Sequence, residues 1–272
     1  MHITMDKTNK HTANYVKSLR SNGKYSFTDD ELFKSMSKSK SNVRKDIDRL
    51  RNKGLIKNIR RGFYTIIPDE YTNMGVLPVD IYVDDLMKYI NKKYYVGLYS
   101  AAMLHGAAHQ QPQEYYIVTE SPKPRNIKKE MFIINFSEKR NFPKYGIEES
   151  KTLTGYLKLS NKELTFLDLI YYMKTLGGIN RIITILDELR EDIKIGNFKE
   201  VIKNEFPATV YQRAGYILEH VFNDKKLSGI IENKLTQQKN PRRTLLNPSG
   251  KKIGDINNKW KIQININIES DI

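Results

Sequence analysis

Residues 39–53, SKSNVRKDIDRLRNK, carry apolar side chains at helical spacing: Val43, Ile47 and Leu50 fall at i, i+4 and i+7 and predict a narrow inward stripe. At about 100° per residue, Ser41, Lys45, Asp48 and Asn52 point the opposite way, with Arg44 and Arg49 on the flanks. Gly54 stops the helix, and two β-prone runs follow, 55–59 and 63–67, with Arg60, Arg61 and Gly62 at the turn between them. Upstream, residues 10–21 bring Tyr15, Val16 and Leu19 onto one face of a first helix, ended by Asn22-Gly23. Thr28 and Glu31 have capping-box spacing, Phe27 and Leu32 can form a hydrophobic staple, and Leu32, Phe33 and Met36 supply the buried side of a second helix. Ser37 and Lys38 make the turn, and Ser39 or Ser41 caps the third helix. Three helices and a hairpin in this order predict a winged helix-turn-helix, whose third helix reads a groove while the hairpin grips adjacent backbone.

The pattern breaks at 68–78, PDEYTNMGVLP, which is polar and interrupted by Gly and Pro, so a domain boundary is placed there. Residues 1–78 form the expected winged-helix domain and 79–272 a C-terminal domain. Helices are expected at 80–91, with Ile81, Leu86 and Ile90 buried, and at 98–108. Strands are expected at 115–119, 131–136, 147–151 and 155–159. Ser160 to Glu163 reads as a second capping box, opening a helix with Leu164, Leu167, Leu169 and Ile170 buried. Further helices at 179–189, 197–204, 207–223 and 225–236 form a layer. At the end, Trp260, Ile262, Ile264, Ile266 and Ile268 alternate with polar residues, a half-buried strand expected to join the sheet of 115–159. The fold class is α+β: a winged helix-turn-helix followed by a larger mixed α/β domain with a small sheet and a helical layer.

Charge sharpens the picture. Residues 1–67 hold 16 Lys/Arg against 6 Asp/Glu, a net +10, while the other 205 residues hold 30 against 25, a net +5. Most of the excess lies on a quarter of the chain, as a footprint for nucleic acid would. Ser39, Ser41 and the N-terminus of the third helix suit phosphate contacts. Asn42, Arg44, Lys45 and Arg49 are candidates for base edges, and Arg60 and Arg61 for phosphates or a narrow minor groove. Asp46 and Asp48 orient their basic neighbours or discourage wrong sites. A second basic stretch, 239–261, has 7 Lys/Arg and 1 acid; Arg242, Arg243, Lys251 and Lys252 mark it as a possible further patch for DNA or RNA.

The chain has no cysteine, which excludes disulfides, Cys-ligated zinc and a thiol nucleophile. No signal peptide or membrane span is apparent, and the expected location is cytoplasmic. His105 and His109 are four apart, a spacing at which two imidazoles can hold one metal, but Gly106 stands where a zinc protease has its general base and no third ligand stands out. A metal-dependent enzyme using this pair remains the alternative reading, together with a protein- or RNA-interaction module. No catalytic residue, metal or cofactor is assigned.

The N-terminal pattern, with YYVGLYSAAMLHGAAHQQPQEYYIVT (94–119), SNKELTFLDLI (160–170) and VYQRAGYILE (210–219), resembles the AbiEi antitoxin family of abortive-infection systems. The resemblance runs from about residue 10 to about 265, and the 98–112 block is its most specific part. It implies a type IV toxin–antitoxin antitoxin that is not an enzyme. It also implies that the winged helix represses the protein's own operon at inverted repeats; such a site takes two copies, and their cooperative binding on DNA is the expectation. The C-terminal domain would counter a nucleotidyltransferase-like toxin without a stable complex. Tyr211, Arg213 and Glu219 match the family's arginine-bearing helix, and a structural ion pair accounts for them equally.

Overall fold

The opening helix α1 (Thr12–Ser21) ends where Gly23 takes a φ of +71°. A short strand, β1 (Ser26–Thr28), leads into α2 (Asp29–Ser35), and the expected capping box joins them. The Glu31 N–H donates to the Thr28 hydroxyl at 3.2 Å, and the Thr28 N–H donates to the Glu31 carboxylate at 2.8 Å. Ser39 caps α3 (Lys40–Asn52), whose Val43, Ile47 and Leu50 are buried as their spacing requires. The hairpin β2 (Ile56–Arg60) and β3 (Phe63–Ile66) follows, and β1 pairs with the outer side of β3 to give a sheet in the order β1-β3-β2. The computed structural model describes residues 11–108, 114–238 and 241–268.

Helix α4 (Val79–Ile90) is the hinge of the architecture. Its apolar side belongs to a cluster running from Ile59, Phe63 and Ile67 through Tyr82 and Leu86 to Ile117 and Leu157, so it packs both on the N-terminal hairpin and on the larger sheet. Polar contacts repeat the link: the Ser26 hydroxyl donates to Asp85 at 2.6 Å. Ile81 and Leu86 are buried as expected, and Ile90 is half-buried.

The larger sheet is mixed, in the order β6-β7-β5-β4-β9-β8, from β4 (Tyr94–Val96), β5 (Glu114–Glu120), β6 (Ile127–Lys128), β7 (Ile133–Lys139), β8 (Ile147–Thr152) and β9 (Gly155–Ser160). Helix α5 (Leu98–Leu104) packs on β5 and on α6 (Lys162–Tyr172). Then come α7 (Ile179–Glu191), α8 (Ile195–Val201) and α9 (Ala208–Tyr216). A wide turn over Ile217–Val221, closed by Phe222 N–H to Ile217 carbonyl at 3.0 Å, precedes α10 (Lys225–Thr236). Between the helices and the sheet the Lys139 ammonium pairs with Asp168, lies 4.1 Å from the Phe206 ring centre, and is pushed down in pKa by burial. The Tyr95 hydroxyl donates to the same carboxylate at 2.6 Å.

Three expectations need correcting. The helix of 98–108 ends at Leu104, because Gly106 at φ +80° turns the chain. The second capping box does not form. Asn161 caps α6 by accepting from Leu164 N–H, Ser160 is turned to the sheet, and the Glu163 carboxylate accepts from Lys194 N–H at 2.8 Å. The alternating tail does not join the large sheet. Only Ile262–Gln263 is a strand (β12), in a separate small sheet with β10 (Thr244–Leu245) and β11 (Ile256–Asn257) that rests on α9. Trp260 finds its burial in the helical layer, against Gly215, and carries the tail there.

Candidate nucleic-acid interface

The outward side of α3 is a field of unburied polar and basic groups. Ser39, Ser41, Asn42, Arg44, Lys45 and Arg49 are all exposed, while the opposite stripe is buried against α1 and α2. Ser39 is partly committed, since its hydroxyl accepts from Asn42 N–H at 3.4 Å. Arg44 is braced: its guanidinium carbon lies 5.8 Å from the Phe33 ring centre, and the Lys40 ammonium lies 5.5 Å from the same ring. Phe33, which the sequence places inside, is therefore only half-buried and serves as a shelf for two cations.

The acids of α3 have separate jobs. Asp46 accepts from Lys38 at 2.9 Å and from the Thr12 hydroxyl at 2.9 Å, tying α1 to α3, and also pairs with Arg49 at 3.3 Å. The Lys38 hydrogen bond is the main cause holding its carboxyl below the usual range. Asp48 pairs with Arg51 at 3.0 Å. Among the described residues, Lys45 makes no ion pair and extends freely from the centre of the face.

The hairpin brings Arg60, half-buried, and Arg61, exposed, to its tip, and Gly62 closes the turn at φ +74°. Asn58 spans the loop, donating to the Arg60 carbonyl at 2.8 Å. The tip is fixed from outside by a group the sequence reasoning did not single out. Tyr89 of α4 donates to the Arg61 carbonyl at 3.0 Å and lays its ring 5.5 Å from that of Phe63. Its only signal in the sequence is an aromatic on the polar side of a helix.

The second basic patch lies elsewhere. Arg242, Arg243, Lys251 and Lys252 are exposed on the segment that the small sheet holds against α9. The attachment is specific: Gln212 donates to the Arg242 carbonyl at 3.0 Å, and Arg213 to the Leu245 carbonyl at 3.0 Å and the Thr244 hydroxyl at 3.2 Å. Glu219 accepts from Lys259 at 2.7 Å and from the Trp260 indole at 2.5 Å. Arg213 and Glu219 thus hold the C-terminal segment rather than each other. Among the described residues, no hydrogen bond or ion pair joins this patch to α3 or the hairpin.

His105 lies outside α5, on which the sequence places it. His105 follows the last residue of α5, its Nε2 lies 2.7 Å from the Ser160 carbonyl, and burial pulls its pKa down. His109 lies outside the described residues. Among the described residues no group of three metal-ligating side chains converges, and no helix is long and apolar enough to cross a membrane.

Comparison with known proteins adds a family and a fold. Residues 95–220 match the family model described as the AbiEi antitoxin C-terminal domain, which spans β4 through the end of the wide turn after α9. No curated protein matches. Among solved structures, the chain is similar to the crystal structure of the RV2827C protein from Mycobacterium tuberculosis. That similarity has a TM-score of 0.63 at 14% identity, covering 92% of this chain and 89% of the other. At that identity it speaks to fold alone.

Proposed function

We propose, on the match of residues 95–220 to the AbiEi antitoxin C-terminal domain, that this chain is an AbiEi-family antitoxin of a type IV toxin–antitoxin system and represses its own operon. Residues 1–78 act as a winged helix-turn-helix on inverted-repeat promoter DNA. Residues 79–272 counter a nucleotidyltransferase-like toxin without a lasting complex. The observation that carries the DNA half is the division of α3 into a buried apolar stripe and an exposed face bearing Asn42, Arg44, Lys45 and Arg49, beside a hairpin tipped by Arg60 and Arg61. An aromatic-braced arginine suits bidentate pairing with guanine, because less of its freedom is lost on binding. Ser39, Ser41 and the helix N-terminus suit phosphates.

The test is binding of the full chain to the duplex upstream of its own gene against a scrambled duplex, at two salt concentrations. A preference of roughly 10³-fold or more, with both affinities falling as salt rises, is expected. Equal affinity for both duplexes would reduce the face to a general nucleic-acid grip, and no binding at low salt would end the proposal. For the antitoxin half, co-expression should relieve toxicity while the two proteins separate on a sizing column.

A further inference from the structure

The strand β8 ends the large sheet, and its outer edge meets no partner among the described residues. The Asn161 N–H donates to the Gly146 carbonyl at 2.8 Å, which sets the alternation along the strand. Glu148, Ser150 and Thr152 spend their main-chain groups on β9, and Ile147, Glu149 and Lys151 turn theirs outward. An edge of this length, with three outward residues, is a template for another strand.

We propose that two copies of this chain pair antiparallel along β8, about a two-fold axis through Ser150. The register follows from the strand itself. Outward-facing residues must meet outward-facing residues, so the axis passes through a residue and not between two. An axis at Glu149 sets Glu149 against Glu149, and one at Lys151 sets Lys151 against Lys151; like charges directly opposed repel. An axis at Ser150 instead sets Glu149 of each copy, which already accepts from Lys158 of its own chain at 3.0 Å, against Lys151 of the other, so that each carboxylate lies between two lysines. It also brings Ile147 of each copy to Leu153 of the other. Leu153 is 66% exposed at the turn, and Ile147 lines a groove with Phe142, Tyr94 and Met87, so each has apolar surface to cover. Edge charges ordinarily ward off a partner strand; here their order is self-complementary. The pairing is short and therefore weak in free solution, and gains from any scaffold that holds two copies close.

The chain contains no cysteine, so a single introduced thiol reports on the axis. In the full-length Ser150→Cys variant, oxidised glutathione should give a disulfide-linked dimer, since directly opposed Cβ atoms lie roughly 5 Å apart. Thr152→Cys is the control, because its two copies are offset by four residues, about 13 Å at ~3.3 Å per residue. We expect Ser150→Cys to crosslink at least about ten-fold faster than Thr152→Cys, given how sharply disulfides depend on distance. Adding Lys151→Glu should abolish that advantage with thermal unfolding unchanged, and adding Glu149→Lys to it should restore the advantage, even though that change gives up the exposed Glu149–Lys158 pair at 3.0 Å and lowers the unfolding temperature slightly. Equal rates for the two thiols, or indifference to Lys151→Glu, would overturn the proposal. The readout needs no DNA, so its failure leaves the repressor reading standing, and the reverse holds too.

Discussion

The hydroxyl of Tyr89 reaches out of α4 to the main-chain carbonyl of Arg61 at 3.0 Å, so a helix packed on the large sheet sets the tip of the N-terminal hairpin. A Cβ built on Gly62 would meet that hydroxyl at 2.6 Å, and the residue already has positive φ. Tyr89→Phe should cost about 0.5–1.5 kcal/mol of stability, one hydrogen bond at a partly exposed site. Gly62→Ala should cost more, at least about 1 kcal/mol from the left-handed backbone alone. Placed in the Tyr89→Phe background, Gly62→Ala should lose part of its cost because the clashing oxygen is gone. Urea unfolding of the four proteins in a double-mutant cycle measures this, and strict additivity would separate the two residues.

Phe33 packs on the rim of the N-terminal core and holds Arg44 and Lys40 over its ring. Phe33→Leu should leave the fold nearly intact, since Leu32 and Met36 carry the buried contacts of that helix. It should weaken operator binding by releasing Arg44, whereas Arg44→Ala should cost about 1–3 kcal/mol if that arginine reads a base. Arg61→Ala, at the exposed hairpin tip, should instead lower affinity for all sequences alike and reduce the salt slope by about 1. Titrations at three salt concentrations distinguish the two behaviours.

His105 sits neutral beside the Ser160 carbonyl, its pKa lowered chiefly by burial. A group whose folded value is depressed gives stability that is present above its unfolded pKa, about 6.5, and is lost as pH falls toward the folded value. Unfolding free energy should therefore decline between about pH 7 and the depressed native value, and His105→Gln should flatten that part of the profile while other titrations remain. Denaturant midpoints across that range are the measurement; an unchanged slope in the variant would contradict it.

Trp260, the single tryptophan, is buried against Gly215 with its indole N–H on Glu219. A methyl group at Gly215 would fall inside the ring, so Gly215→Ala should expel the indole and red-shift its emission. Glu219→Gln removes the ion pair with Lys259 but keeps an acceptor for the indole, and should leave the emission nearly unchanged. These two spectra separate loss of packing from loss of charge.

Much of the N-terminal third was legible because its signals are local. The stripe Val43, Ile47 and Leu50, the Thr28–Glu31 box and the glycines at 23 and 62 each act within one turn of chain. The strand β1 was not foreseen, since three residues carry no period and exist as a strand only through pairing with β3. The same limit appears at Ser160–Glu163, where the capping spacing is present but the glutamate is claimed by Lys194 from a distant turn.

By itself the sequence determined which faces are buried, which are basic, where the helices begin, and a family resemblance carried by the 94–119 block. Those depend on periodicity, capping chemistry and the placement of small residues, all fixed by neighbours along the chain. Only the tertiary structure decided that α4 clamps the hairpin, that Arg213 and Glu219 anchor the C-terminal segment, and that the alternating tail folds onto the helical layer. Each of these is a choice among competing partners, and which hydrogen bond or apolar surface wins depends on groups brought close from dozens of residues away.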